Sequence, residues 1–334
     1  MENLLVNKVA AVKEVRQAAE YQKKKQACIL TGLAGSSKPV FFAAADKLLG
    51  GKGSMAFVTA SREEIRTYRR ELNYLYPDLP MQELYPVSLP RVQADTQSLE
   101  LQAGRAAALR FLSGEERGIV FVTAEALQQK QLRPSGMSGK ALQLAVGEEH
   151  EQRNIAAALL DLGYERTEQV DALGQFCLRG DILDVYPINS SAAVRIEWFD
   201  NELDAMRSFD VDTQRSLQTL TSIKIAPLKV DESFSYDADI FEYCAADTMV
   251  VVDEPVHVFS MLEKLDKENK EHASELFGKQ KLIEQLAANG AVLVSALGHS
   301  YLQQLPSLNI PVRAVAPYNK NTNLLVEDLQ NWLA

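Results

Sequence analysis

Residues 27–39 read Ala27-Cys28-Ile29-Leu30-Thr31-Gly32-Leu33-Ala34-Gly35-Ser36-Ser37-Lys38-Pro39. A short apolar run enters a Gly-Ser cluster, and residues 40–49 are helical by composition. Strand, glycine-bearing loop and helix in that order form the setting of a phosphate-binding loop, G-x-x-x-x-G-K-[ST]. Gly32 and Lys38 fit the pattern, but Ser37 stands at the second glycine and Pro39 at the Ser/Thr. The missing hydroxyl is the one that would ligate Mg²⁺, and proline also lacks the amide that would join the phosphate cradle. A serine in place of the second glycine hinders the loop from closing on phosphate.

Outward from this loop, residues 54–59 (SMAFVT), 118–123 (GIVFVT) and 291–295 (AVLVS) are further apolar runs of strand length, as is the stretch 311–316. Helix-type stretches lie between them, at 12–25 and 61–75 among others. Continuous apolar runs alternating with helices predict βαβ units and a parallel sheet buried on both faces. Met249-Val250-Val251-Val252 is followed by Asp253-Glu254, the arrangement of a Walker B strand. In a working ATPase that Asp helps hold Mg²⁺ and the Glu positions the attacking water. Two readings stay open for this pair of motifs. In one they are structural relics, with Lys38 solvated and Asp253 a helix cap or the partner of a nearby donor. In the other they bind nucleotide weakly without hydrolysis.

Between residues 142 and 227 the texture differs. A strand (142–146) and a helix (151–162) precede strands expected at 175–186, 193–199 and 202–209, separated by polar turns. This predicts a small α+β unit with an antiparallel sheet, inserted into the α/β domain. The expected organisation is 1–140 and 228–334 for the two parts of a degenerate phosphate-loop, RecA-like α/β domain, and 141–227 for the insert. In Ala193-Val194-Arg195-Ile196-Glu197-Trp198-Phe199, alternation puts Val194, Ile196 and Trp198 on one face and Arg195, Glu197 and Phe199 on the other. Asp200-Asn201 suits a tight hairpin turn. Gly180, inside the expected strand 175–186, marks a bulge or a close backbone approach. An arginine beside an exposed phenylalanine suits a protein-binding hot spot. The alternative is that Phe199 packs under the unit's own helix and Arg195 pairs with Glu197 or Asp184.

Composition narrows the function classes. The chain has 334 residues, 46% of them apolar, and a net charge of −10. Such a balance disfavours whole-surface DNA binding, which needs a concentrated positive field. Lys23, Lys24 and Lys25 form only a small basic run, read as a solvated helix face. Three cysteines, Cys28, Cys177 and Cys244, are far apart without any CxxC, so they are expected as buried thiols rather than a disulfide or metal set. His150, His257, His272 and His299 are isolated, and no cofactor is expected. No apolar run approaches the ~20 residues of a membrane span, and a cytoplasmic protein is expected.

Two longer stretches carry a resemblance. Residues 178–187 read LRGDILDVYP and residues 194–216 read VRIEWFDNELDAMRSFDVDTQRS. They resemble the signature of the module shared by UvrB and the bacterial transcription-repair coupling factors (the Mfd family), RGDxxDxYP followed by RIExFDxExxxxRxFDxxTQRS. The TQRS ending is closer to Mfd, and the departures in the phosphate loop are also those expected of Mfd, because UvrB keeps an intact one. Leu162-Gly163-Tyr164-Glu165-Arg166, Leu84-Tyr85-Pro86 and the helix bearing Arg105 resemble the family as well. Trp198 stands where Phe is common. The resemblance implies that the inserted unit binds UvrA, the damage-recognition ATPase of nucleotide excision repair. Family interface positions fall on Arg179, Arg195 and Phe199. It also implies a non-catalytic region of a longer protein whose motor, DNA contacts and RNA polymerase contacts lie outside these residues. An accessible UvrA-binding face is expected here.

Overall fold

A computed structural model describes residues 3–89, 99–134, 141–228, 236–296, 304–312 and 322–333. In chain order the strands are β1 (Cys28–Thr31), β2 (Met55–Thr59), β3 (Met81–Leu84), β4 (Ile119–Thr123), β5 (Gln131–Leu132), β6 (Leu142–Ala145), β7 (Glu165–Arg166), β8 (Gln175–Arg179), β9 (Ile182–Val185), β10 (Ala193–Phe199), β11 (Glu202–Phe209), β12 (Ser216–Leu220), β13 (Ser222–Ile225), β14 (Tyr236–Ala238), β15 (Met249–Asp253), β16 (Val292–Ser295) and β17 (Ser307–Asn309).

The larger sheet has seven strands in the order β17-β1-β16-β15-β2-β4-β3, and every neighbouring pair is parallel. Strands β2, β4, β15 and β16 are buried throughout, which is why their sequences are unbroken apolar runs. Phe41, Phe42, Tyr68 and Leu72, from helices Ser37–Leu48 and Arg62–Leu75, pack one face with Val6 and Val15. The other face is covered by Phe111, Leu112, Val258, Leu262, Leu282 and Leu286, from helices Leu99–Ser113, Pro255–Glu268 and Lys279–Ala288. After β4 the chain leaves this sheet, builds a second one, and returns as β15 between β16 and β2. At one edge lies β17; of the stretch 311–316 expected as a strand, residues 313–316 lie outside the described residues.

The second sheet runs β12-β11-β10-β9-β8-β7 and is antiparallel except for the short β7–β8 pair. The stretch 175–186, expected as one strand, is a hairpin. Gly180 (φ +55°) turns the chain between Arg179 and Ile182, which face each other across β8 and β9. A two-residue turn needs positive φ, so the glycine marks a reversal and not a bulge. The bulge lies instead between β10 and β11, where Glu197 faces Ala205 but Trp198 faces Leu203, leaving Asp204 over. The strand expected at 142–146 forms as β6 and pairs with β13 in a separate two-stranded sheet. Helix Gln152–Asp161 closes one face over Phe176, Leu183, Val185, Val194, Ile196, Trp198, Leu203 and Met206. Arg110, on helix Leu99–Ser113, donates to the Asn189 carbonyl in the loop between β9 and β10. Among the described residues no helix is long and apolar enough to cross a membrane.

Candidate partner-binding face and the closed phosphate-loop position

On the second sheet, the face away from the helix divides into a closed end and an open end. Val170, Cys177, Ala193 and Phe209 form a small apolar cluster at the closed end. Arg179, Arg195, Arg207, Glu197 and Phe199 occupy the open end. Asp184 is the hub between the two. Its carboxylate is 2% exposed. Arg195 donates to it through Nε at 2.6 Å and Nη2 at 2.8 Å, and Arg179 Nη2 donates at 2.9 Å. Arg195 Nη2 also donates to Gln214 Oε1 at 3.1 Å, and its guanidinium lies 4.7 Å from the Phe209 ring centroid. The Asp184 hydrogen bonds raise the Arg195 pKa against the opposing effect of burial. Strand register explains the cluster: Arg195 faces Asp184 on β9 and Arg207 on β11. Arg207 in turn donates to Glu197 at 2.5 Å, so charges alternate across the sheet.

Phe199 ends β10 beside the Asp200 turn (φ +55°) and is 73% exposed. It does not pack under the domain's helix. The two halves of the alternative reading therefore separate: Arg195 pairs with Asp184, as that reading holds, whereas Phe199 faces solvent. Trp198, on the opposite face, is buried and donates its indole N–H to the His150 carbonyl at 2.9 Å. Alternation along β10 found Arg195 and Phe199. Alternation along β11 does not reveal Arg207, because the β10–β11 bulge sets its facing.

The phosphate-loop position is closed by the protein's own groups. Lys38 is 8% exposed, contrary to the solvated reading. Its Nζ donates to Asp253 Oδ1 at 2.6 Å and Glu254 Oε1 at 2.9 Å. Burial by itself lowers the lysine pKa, but the two carboxylates outweigh it and leave the ammonium raised. The Tyr68 hydroxyl also bonds Asp253, and burial, then that carboxylate, push its pKa upward. Glu254 adopts a left-handed conformation (φ +42°) and accepts from the Ala296 amide at 3.0 Å. The loop amides are used locally: Ser37 N–H donates to Ala34 O, Lys38 N–H to Gly35 O, and Ala34 N–H to Ser37 Oγ. Gly32 (φ +87°) is required by packing, since a Cβ there would meet the Ile310 carbonyl oxygen at 2.7 Å. Cys28 and Cys177 are buried free thiols, Cys244 is half-buried, and burial pushes Cys28 and Cys244 up to about 12. No cluster of His, Cys, Asp or Glu among the described residues could hold a metal ion, and His299 lies outside them.

The segment carrying the arginine face, residues 142–230, matches the UvrB interaction domain family. Beyond the UvrB interaction domain, the chain is similar to curated transcription-repair-coupling factors. The Bacillus subtilis protein is 36% identical over 203 residues, 60% of this chain and 17% of that protein. The Escherichia coli protein is 28% identical over 165 residues, covering 49% and 14%. The Staphylococcus haemolyticus protein is 29% identical over 261 residues, 78% of this chain and 21% of its own length. The chain thus spans 14–21% of the length of these relatives. A solved chain described as truncated XPD aligns over 90% of the chain at 10% identity with a TM-score of 0.35, too distant to carry an argument.

Proposed function

We propose that this chain is a non-catalytic adaptor region of a transcription-repair coupling factor, and that the open face of its UvrB interaction domain docks UvrA. The observation that carries the reading is Phe199, a large aromatic 73% exposed on the same sheet face as Arg179 and Arg195. An aromatic that a partner can desolvate, on one sheet face with arginines, suits an interface hot spot. Arg179, with its side chain 51% exposed, retains donors for a partner carboxylate. The proposed organisation is a UvrA-binding insert at 141–227 within an α/β scaffold formed by 1–140 and 228–334. The scaffold's phosphate-loop position is read as vestigial: Lys38 is occupied by Asp253 and Glu254, and Pro39 offers neither hydroxyl nor amide. Contacts to RNA polymerase and DNA are assigned to the remaining length of the coupling factors.

Titration against UvrA tests this reading, with the wild type beside an Arg195→Ala/Phe199→Ala variant whose fold is checked by circular dichroism. Micromolar or tighter binding that the folded variant loses is expected. Equal binding by both proteins refutes the site, and ATP turnover by the purified chain refutes the non-catalytic assignment.

A further inference from the structure

Asp184 is the one carboxylate through which two of the three arginines of the open face are connected. It is almost fully buried, and β9 holds it directly opposite Arg195 on β10. Both carboxylate oxygens are engaged by the Arg195 fork, and one also accepts from Arg179. A third support fixes Arg195: its guanidinium lies over the Phe209 ring, whose own position is set by the cluster with Val170, Cys177 and Ala193. The two arginines differ as a result. The Arg195 side chain is 17% exposed, with a short bidentate pairing. Arg179 is three times as exposed and has a single bond to the carboxylate. Holding flexible side chains in their bound geometry before encounter lowers the ordering cost of association.

We propose that Asp184 is a positioning residue for the partner-binding face: its buried carboxylate presents Arg195 as a fixed, charge-compensated platform and aims Arg179 as the cation with free donors. This inference rests on the reading of the face as the UvrA site. Asp184 touches no partner; it acts through the arginines. An asparagine is nearly isosteric but carries no charge and can accept at only one oxygen, so the bidentate pairing fails while the side chain still fills its space. The partner then has to order both arginines itself.

The test has an arm that needs no partner. In ¹⁵N–¹H spectra of the wild-type protein, the Arg195 Nε–H is expected as a protected, slowly exchanging signal, and Asp184→Asn is expected to lose it. An Arg195 Nε–H exchanging as fast as that of an exposed arginine overturns the proposal whatever UvrA does. In titrations with UvrA, Asp184→Asn is expected to lose about ten-fold in affinity with an unchanged circular dichroism spectrum. In an Arg195→Ala background the same substitution is expected to add less than about three-fold, because the two act as a unit. Equal losses in both backgrounds show that Asp184 does not act through Arg195 and refute the proposal. If the wild type does not bind UvrA but its Arg195 signal is protected, the reading of the face as the UvrA site fails and the positioning of Arg195 stands alone. Should Asp184→Asn not fold, Asp184→Glu restores the charge on a longer stem. It is expected to keep part of the affinity, and full loss in a folded Glu variant counts against the proposal.

Discussion

Replacing Lys38 with alanine tests whether the phosphate-loop position has become part of the scaffold. In the structure the ammonium lies between Asp253 and Glu254 at 2.6 and 2.9 Å, with both Lys38 and Asp253 nearly inaccessible. Removing one partner of a buried pair leaves charge uncompensated, which costs about 3–5 kcal/mol. Glu254 is partly exposed and keeps the Ala296 amide, and Asp253 keeps Tyr68, so the lower end applies. A loss of about 3 kcal/mol, roughly a 150-fold change in the unfolding equilibrium, is expected. Urea denaturation followed by tryptophan fluorescence and circular dichroism measures it. Lys23→Ala, which breaks only the exposed pair with Glu20, serves as the control and is expected to change nothing measurable. Linkage gives the pH sign. The folded lysine pKa is raised, so the contribution is fully present below the unfolded value of about 10.4 and is lost as pH climbs through the folded one. The Lys38→Ala deficit is therefore expected to be constant through neutral pH and to shrink only under strongly alkaline conditions. A deficit below about 1 kcal/mol at pH 7 refutes the account, since that is the range for a solvated lysine.

Three further outcomes are expected. Phe199→Ala changes the thermal midpoint little, because exposed substitutions stay within about 0.5 kcal/mol, yet weakens UvrA binding by at least about ten-fold. Calorimetric titration beside a melting curve separates the two effects. Gly32→Ala destabilises by about 1–3 kcal/mol in chemical denaturation, since its φ of +87° strains any other residue and the Ile310 carbonyl stands in the way of a Cβ. Asp46 has a raised pKa, because burial outweighs the Arg117 and Tyr76 contacts. Its contribution is fully present below the unfolded value of about 3.9 and declines as pH rises through the folded value. Denaturation midpoints of Asp46→Asn are expected to lack that decline as pH rises above about 3.9.

Elements whose signals are local are legible in the amino-acid sequence alone. Unbroken apolar runs at β2, β4, β15 and β16 announced strands buried on both faces, because no position in them meets water. Alternation along β10 separated Val194, Ile196 and Trp198 from Arg195 and Phe199, because successive side chains on a strand point to opposite faces. Features that depend on partners distant in the chain emerge only once the sheets assemble. Gly180 reverses the chain because β8 and β9 pair, which no local pattern distinguishes from a bulge. Asp184 gathers Arg195 only because β9 and β10 are in register, and Arg207 faces the same way only because β11 carries an extra residue. Lys38 meets Asp253 and Glu254 across more than two hundred residues, brought together where β15 enters the sheet near β1. Charge pairing of that kind is set by strand order, and strand order arises from the packing of the whole sheet.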